Sequence, residues 1–203
     1  MQQGLKVLFE CEGGTAYLGL CVPSSASGVT YGGSGWDGKH REPGPTKTYL
    51  IACGVPPGTA AVIASLCGWS GDTAKAQIKA LGLTDFKFTP AQIEKFFIDE
   101  TDVQIKELKR ICTKPDVIKA YGDCHWDTMN EKIKMTLLIC LYRGDFVGAS
   151  RKILMPAVVK NDLSAFTLAM NDKWFDRVPK DRMRRIREYL KSPTEKTITS
   201  FNT

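Results

Sequence analysis

The stretch that decides the fold class is residues 12–38, EGGTAYLGLCVPSSASGVTYGGSGWDG. Its many glycines and serines are typical of loops and short strands rather than of helices. Residues 5–12, which lead into it, place apolar side chains at the spacing of one helical face, and the Gly-Gly pair that follows predicts where this helix stops. We therefore expect a first helix that ends at Glu12 and leads directly into an irregular loop with short strands.

The loop character continues to about residue 55, and helical patterns follow it. Segments 16–22, 28–31 and 46–51 are rich in β-prone residues and predict a small, irregular sheet. After the prolines at 56 and 57, the apolar spacing becomes that of helices. Helices are predicted near residues 59–67, 71–81, 127–142, 146–154, 162–171 and 180–191.

Thr89 predicts the start of a longer helix, because it is followed by proline and by Gln92 at the position of a capping box. This helix either continues to about Cys112 or breaks part-way, and in both forms it can join two lobes. The predicted fold class is thus α+β and mainly α. At 203 residues, the chain fits a single domain, with lobes at about 13–70 and 71–203 and the first helix packed on the C-terminal lobe.

The composition is that of a soluble globular protein. Hydrophobic residues make up 43% and charged residues 25% of the chain, and no apolar run approaches the roughly 20 residues of a membrane span. The amino terminus lacks the basic start, apolar stretch and small-residue cleavage site of a secretion signal. We expect synthesis in the cytoplasm, without membrane insertion.

The net charge of +6 favours an anionic partner. The positive charges are concentrated late in the chain, at Lys180, Arg182, Arg184, Arg185, Arg187 and Lys191. No helix-turn-helix, zinc-finger or ribonucleoprotein motif accompanies them, so we do not expect nucleic acid as the partner. An anionic polymer of the bacterial envelope fits the charge equally well.

The seven cysteines form an odd set without a Cys-x-x-Cys pair, so neither a disulfide framework nor a zinc ribbon is indicated. We expect most of them to be buried thiols. Cys124 lies beside His125, but no second pair has the spacing of a zinc site. The sequence predicts neither a metal nor a cofactor.

Two carboxylates and a hydroxyl in residues 12–38 point to chemistry on sugars. Two acids flanking a glycosidic bond are the minimum for its hydrolysis. With about 100° between successive helical residues, Glu12 lies on the apolar stripe of the first helix and Glu10 points the opposite way. A carboxyl at that position is partly desolvated, which suits Glu12 for proton donation. Asp37, on a wetter glycine-rich turn, is expected to act as a base on water that Thr30 helps to hold.

Each of these residues also has a simpler explanation. A glutamate before Gly-Gly is often a solvated helix end, and Asp-Gly is a common turn dipeptide. Thr30 follows Val29, as a strand residue often does. On spacing alone, these explanations outweigh catalysis.

Four short motifs in the same stretch change that balance. They are Glu-Gly-Gly at 12–14, Val-Pro at 22–23, Ser-Gly-Val-Thr at 27–30 and Gly-Trp-Asp-Gly at 35–38. In order and spacing they resemble the muramidase domain of the pesticin-like family, which is related in fold to phage lysozymes. The resemblance is strong over residues 8–38 and thin afterwards. Residues 182–190 are similar to a helix that closes many of these domains, and residues 135–145 to the helix before their substrate groove.

The resemblance implies a lysozyme-like, two-lobed fold that binds peptidoglycan glycan strands in the cleft between the lobes. It implies cleavage of the β-1,4 bond between N-acetylmuramic acid and N-acetylglucosamine. By position, Glu12 becomes the general acid, Asp37 the residue that activates water and Thr30 the hydroxyl that positions the water. The separation of the two acids decides the stereochemistry, and we expect inversion. Tyr31 and Trp36 either stack on sugar rings or pack the loop.

Such a bacteriolytic enzyme would act in the periplasm or cell wall after export or delivery. Whether an immunity protein or inhibitor binds it stays open. The chain departs from the family pattern where Cys21 replaces a tyrosine, Tyr31 replaces an isoleucine, and Lys39 stands where Asp-Leu-Gly becomes Asp-Gly-Lys. These departures bear on substrate specificity.

Three other functions stay open. A lytic transglycosylase or chitinase could use the same scaffold. A non-catalytic envelope-binding module could retain the groove and the basic helix, and a nucleic-acid binder could rest on the arginine cluster alone. The basic helix itself is either a solvated face with charge pairs or a structural clamp.

Overall fold

Helices make up most of the structure. The computed structural model describes residues 2–193. The α-helices are α1 (Gln3–Cys11), α2 (Pro43–Ala52), α3 (Pro57–Ala64), α4 (Gly71–Ala80), α5 (Pro90–Cys112), α6 (Pro115–Tyr121), α7 (Glu131–Tyr142), α8 (Gly148–Val158), α9 (Leu163–Ala169) and α10 (Lys180–Lys191). Short 3-10 helices span Trp126–Thr128 and Lys173–Arg177, and the strands are β1 (Leu20–Cys21) and β2 (Thr30–Tyr31). The predicted class, α+β and mainly α, is confirmed.

The two strands form a short antiparallel pair. Both lie inside segments for which the sequence predicts β structure. Cys21 of β1 lies opposite Thr30 of β2. An isolated bridge on the other side joins Thr30 to Asp37. The small sheet therefore places the backbones of Cys21, Thr30 and Asp37 side by side.

The prediction of β structure at residues 46–51 is wrong, because this segment lies within α2. Pro43 occupies the first turn of that helix, where its fixed φ and missing N–H favour helix initiation. Thr46 and Leu50, one turn apart, are both buried. The proline start and the buried helical face outweigh the β propensity of individual residues.

The capping box predicted at Thr89 is present at the start of α5. The Thr89 N–H donates to Gln92 Oε1 at 2.9 Å, and the Gln92 N–H donates to Thr89 Oγ1 at 3.2 Å. The helix then continues to Cys112, which is the longer of the two predicted forms. Helix α6 was not predicted, although Pro115 at its first position is a start signal.

The chain divides into two units, and the first joins the segment up to Cys11 to the segment from Gln104 onward. In this unit α1 packs against α7 and α10. The contact is close at Gly4, where a methyl group would lie 2.6 Å from Tyr189 Oη and 2.7 Å from Met135 Cγ. The fully buried side chains of this first unit include Leu8, Ile133, Leu137, Leu154, Met155 and Phe166.

The second unit, Glu12–Val103, contains the sheet, α2, α3, α4 and the first part of α5. An aromatic cluster forms part of its core: the Tyr31 ring lies 5.1 Å from Phe88 and 5.5 Å from Phe96, measured between ring centroids. The division falls after Val103, further along the chain than the lobe boundary that the sequence predicts near residue 70. This unit contains all three residues with predicted catalytic roles.

Candidate active site

Backbone donors hold the Asp37 carboxylate in place. Its Oδ1 accepts from the Lys39 N–H at 2.7 Å, and its Oδ2 accepts from the Gly28 N–H at 3.1 Å. A methyl group at Gly28 would lie 2.3 Å from Asp37 Oδ1 and 2.5 Å from the Lys39 nitrogen. Only glycine fits there without moving the carboxylate, so the sequence Ser-Gly-Val-Thr supports Asp37 as well as Thr30. Asp37 is half-buried.

Thr30 is buried and points its hydroxyl at Cys21. Thr30 Oγ1 donates to the Cys21 carbonyl at 3.2 Å and lies 2.8 Å from Cys21 Sγ. Burial raises the pKa of the Cys21 thiol, and the charge of Asp37 raises it too, whereas the contact with Thr30 lowers it. The net upward shift keeps the thiol protonated near neutral pH. The thiol then donates to Thr30 Oγ1, because the threonine hydrogen already points at the carbonyl.

Glu12 directly follows Cys11, the last residue of α1, so this helix ends one residue before the predicted end. Glu12 is half-buried. The turn after it contains Gly13 and Gly14, whose φ angles are +103° and +52°. Gly14 pairs with Gly33, and a methyl group at Gly33 would lie 2.3 Å from the Gly14 carbonyl oxygen. Glycines on both sides of this contact bring the Glu12 turn against the loop between Thr30 and Asp37.

Glu10 has a different role. Its carboxylate accepts from Arg185 Nη1 of α10 at 2.6 Å, which ties α1 to α10. The clamp function considered for the basic helix is therefore performed by Arg185.

Tyr31 and Trp36 are core residues. Their side chains are 1% and 3% exposed, and their rings stack at a centroid distance of 3.9 Å with 14° between the planes. The guanidinium of Arg41 lies 4.3 Å above the Trp36 ring. Of the two roles predicted for these aromatics, packing of the loop is the one observed. This burial corrects their assignment as substrate-binding residues, because neither ring face is open to a sugar.

Arg41 and Glu100 contact the site but are not among the residues that the sequence predicts for it. Arg41 Nε donates to the Asp37 carbonyl at 3.1 Å, and Arg41 Nη2 donates to Glu100 Oε2 at 2.5 Å. The Glu100 side chain is 7% exposed, so this ion pair is largely buried on the glutamate side. Glu100 follows the apolar stripe of Ile93 and Phe97 on α5 by whole turns. A glutamate on the apolar stripe of a helix is the pattern that indicates Glu12. The same pattern indicates Glu100.

All seven cysteines are free thiols. Burial raises the pKa of Cys140 to about 12. Within residues 2–193, no group of three His, Cys, Asp or Glu side chains is arranged to hold a metal ion. No helix in this same part of the chain is long and apolar enough to cross a membrane.

A family model described as a domain of unknown function (DUF8812) matches residues 12–187. The matched segment contains Glu12, Thr30 and Asp37, and it reaches into α10. No curated protein matches the chain. Since the family model spans more than half of its length, the chain belongs to the DUF8812 family.

Proposed function

We propose that the protein is a muramidase with a lysozyme-like fold, which hydrolyses the β-1,4 bond between N-acetylmuramic acid and N-acetylglucosamine in peptidoglycan. The observation that carries the proposal is the pairing of Gly14 with Gly33, which brings the turn after Glu12 against the loop that bears Thr30 and Asp37. Two carboxylates and a hydroxyl thus belong to one local structure, in the chain order of the pesticin-like motifs. The enzyme would act in the periplasm or cell wall.

In the proposed reaction, Glu12 donates a proton to the glycosidic oxygen. Asp37 accepts a proton from the attacking water, whose oxygen bonds to the anomeric carbon. Thr30 Oγ1 has its own hydrogen directed at the Cys21 carbonyl, so toward the water it is an acceptor. A water held by two acceptors presents its lone pairs to the sugar. Inversion is expected if the carboxyl groups stand about 6.5–9.5 Å apart with substrate bound.

The fixed orientation of Asp37 suits this role. The two backbone donors each use one direction at its carboxylate oxygens, and a carboxylate has about four lone-pair sites, so capacity for a water remains. Arg41 adds a third tie, to the Asp37 carbonyl. A base held in this way loses little orientational freedom when the substrate binds.

Product analysis distinguishes this reaction from its nearest alternative. Digestion of purified peptidoglycan should release muropeptides with reducing ends, and proton NMR should show the inverted anomer first. A lytic transglycosylase needs only the acid and releases anhydro-sugars instead. Anhydro products, or full activity of Asp37→Asn, would contradict the assignment of Asp37 as the base.

One observation favours a second candidate, a non-catalytic envelope-binding module. Asp37 Oδ1 accepts from the backbone N–H two residues later, as in an ordinary Asx turn that has no chemical role. Binding of the protein to purified peptidoglycan with no release of muropeptides at any pH from 5 to 9 would favour this module over the muramidase.

A further inference from the structure

Four cations form a straight stripe on α10. Lys180, Arg184, Arg187 and Lys191 stand at spacings of four, three and four residues, which places them within about 60° of one another around the helix axis. The stripe is about 16 Å long at the α-helical rise. All four residues are exposed. We name these four residues the basic stripe.

The other two arginines of α10 have structural roles. Arg185 pairs with Glu10, and Arg182 donates to the Cys11 carbonyl at 2.5 Å. Within the basic stripe, Arg184 pairs with Glu188 at 3.0 Å. Lys180, Arg187 and Lys191 form no ion pair with any residue from 2 to 193. The stripe thus keeps most of its positive charge for an external partner.

The helix that carries the stripe is firmly packed. Met183, Ile186, Tyr189 and Leu190 of this helix are buried. At its C-terminal end, the buried Lys132 ammonium of α7 donates to the Leu190 carbonyl at 3.2 Å and also to the Ser192 carbonyl. Cations near the last carbonyls of a helix stabilise its end. The stripe is therefore presented in a fixed line rather than on a fraying terminus.

A partly apolar groove flanks the stripe. It is open, has a volume of about 540 Å³, and is lined by Leu163, Ser164, Thr167, Leu168, Asn171 and Leu190. Leu190 lies one turn after Arg187 on α10, so the groove borders the stripe at Arg187. Leu168 is 73% exposed there. A line of cations near an exposed leucine matches the interface of an anionic bilayer, where phosphates lie above acyl chains.

We propose that the basic stripe and Leu168 form a peripheral docking surface for anionic phospholipid membranes. Phosphate groups pair with the four cations, and Leu168 enters the headgroup region without spanning the bilayer. A soluble polyanion would use the charges but has no use for the leucine, which is why we favour a lipid surface. This proposal concerns membrane binding only, so its test does not depend on the muramidase reaction.

Vesicle co-sedimentation tests this surface. Vesicles of 30% phosphatidylglycerol and 70% phosphatidylcholine should retain the protein at 100 mM salt, and pure phosphatidylcholine vesicles should not. Each cation near an anionic surface contributes about fivefold to partitioning, so Arg187→Gln/Lys191→Gln should bind about 30-fold more weakly. The matched control, Lys47→Gln/Lys79→Gln, removes two exposed cations from α2 and α4 and should bind nearly as well as wild type.

Leu168→Ser separates the lipid surface from a polyanion site. It should weaken vesicle binding by at least about fivefold while leaving retention on heparin unchanged. Circular dichroism melts of each variant check that the fold is kept. Equal binding to both vesicle types, full binding by the stripe variant, or stripe-dependent binding to heparin with no binding to vesicles would overturn the proposal. Glu12→Gln should bind vesicles like wild type, whatever its effect on cell walls.

Discussion

The Cys21 thiol sulfur lies 2.8 Å from the Thr30 hydroxyl oxygen, and the two residues face each other across the two-stranded sheet. This contact occupies one of the positions at which the chain departs from the pesticin-like pattern. Because the thiol supplies a hydrogen, the Thr30 hydroxyl can direct its own hydrogen to the Cys21 carbonyl.

Replacing Cys21 tests this orientation. Cys21→Ala removes the donor and should lower kcat on peptidoglycan by about tenfold, the value of one hydrogen bond, with KM nearly unchanged. Cys21→Ser keeps a donor and should recover most of the loss. Steady-state kinetics of both variants measure the effect, and an alanine variant with the kcat of wild type would show that the thiol is not needed.

Gly28 should tolerate no side chain. In Gly28→Ala, the new methyl group would lie 2.3 Å from Asp37 Oδ1, so the carboxylate or the Lys39 backbone must move. We expect a loss of about 1–3 kcal/mol in the free energy of unfolding, together with reduced activity. Urea unfolding measures the first. Gly44→Ala in α2 is the control, since nothing lies within 4 Å of its new methyl group, and it should be neutral or stabilising.

The Arg41–Glu100 pair should stabilise the unit Glu12–Val103. Arg41→Met removes the guanidinium partner of a carboxylate that is only 7% exposed, which should cost about 2 kcal/mol. The double variant Arg41→Met/Glu100→Gln should recover part of this loss. Arg110→Met breaks an exposed pair with Glu107 and should cost less than about 1 kcal/mol. Equal losses for the Arg41 and Arg110 variants in urea unfolding would argue against a special role for the buried pair.

Cys140 should make the protein less stable at high pH. Its folded-state pKa of about 12 lies above the ordinary value of 9.0, so the unfolded chain releases its proton first as pH rises. The stabilising contribution is complete below pH 9 and is lost between pH 9 and 12, at up to about 1.4 kcal/mol per pH unit. The free energy of unfolding is measured for wild type and for Cys140→Ala at pH 8 and at pH 10.5. The difference between the two proteins should be smaller at pH 10.5 than at pH 8. A constant difference would contradict the shift.

The sequence predicts well those features of the fold that depend on residues close together in the chain. The Thr89–Gln92 capping box depends on residues three apart and appears as expected. The prediction of β structure at residues 46–51 is wrong, because β propensity takes no account of the helix start at Pro43. Their helical burial also depends on neighbours in space, which a local window does not contain.

The candidate site divides in the same way. The choice of Glu12 over Glu10 stays a prediction, because it assumes a helix that includes Glu12, and α1 ends at Cys11. The burial of Trp36 could not be predicted, because it depends on Arg41 and on ring contacts fixed only by the folded loop. The approach of Cys21 to Thr30 depends on strand register, which eight intervening loop residues leave undetermined in the sequence.

A comparison of three proteins tests whether Glu12 is the general acid of a muramidase. Wild type, Glu12→Gln and Glu10→Gln are added to purified peptidoglycan, and the fall in turbidity is followed at neutral pH. Glu10→Gln breaks only the exposed pair with Arg185 and should clear the suspension at close to the wild-type rate. Glu12→Gln, folded by circular dichroism, should not clear it at all. If Glu12→Gln clears the suspension at the wild-type rate, Glu12 is not the general acid.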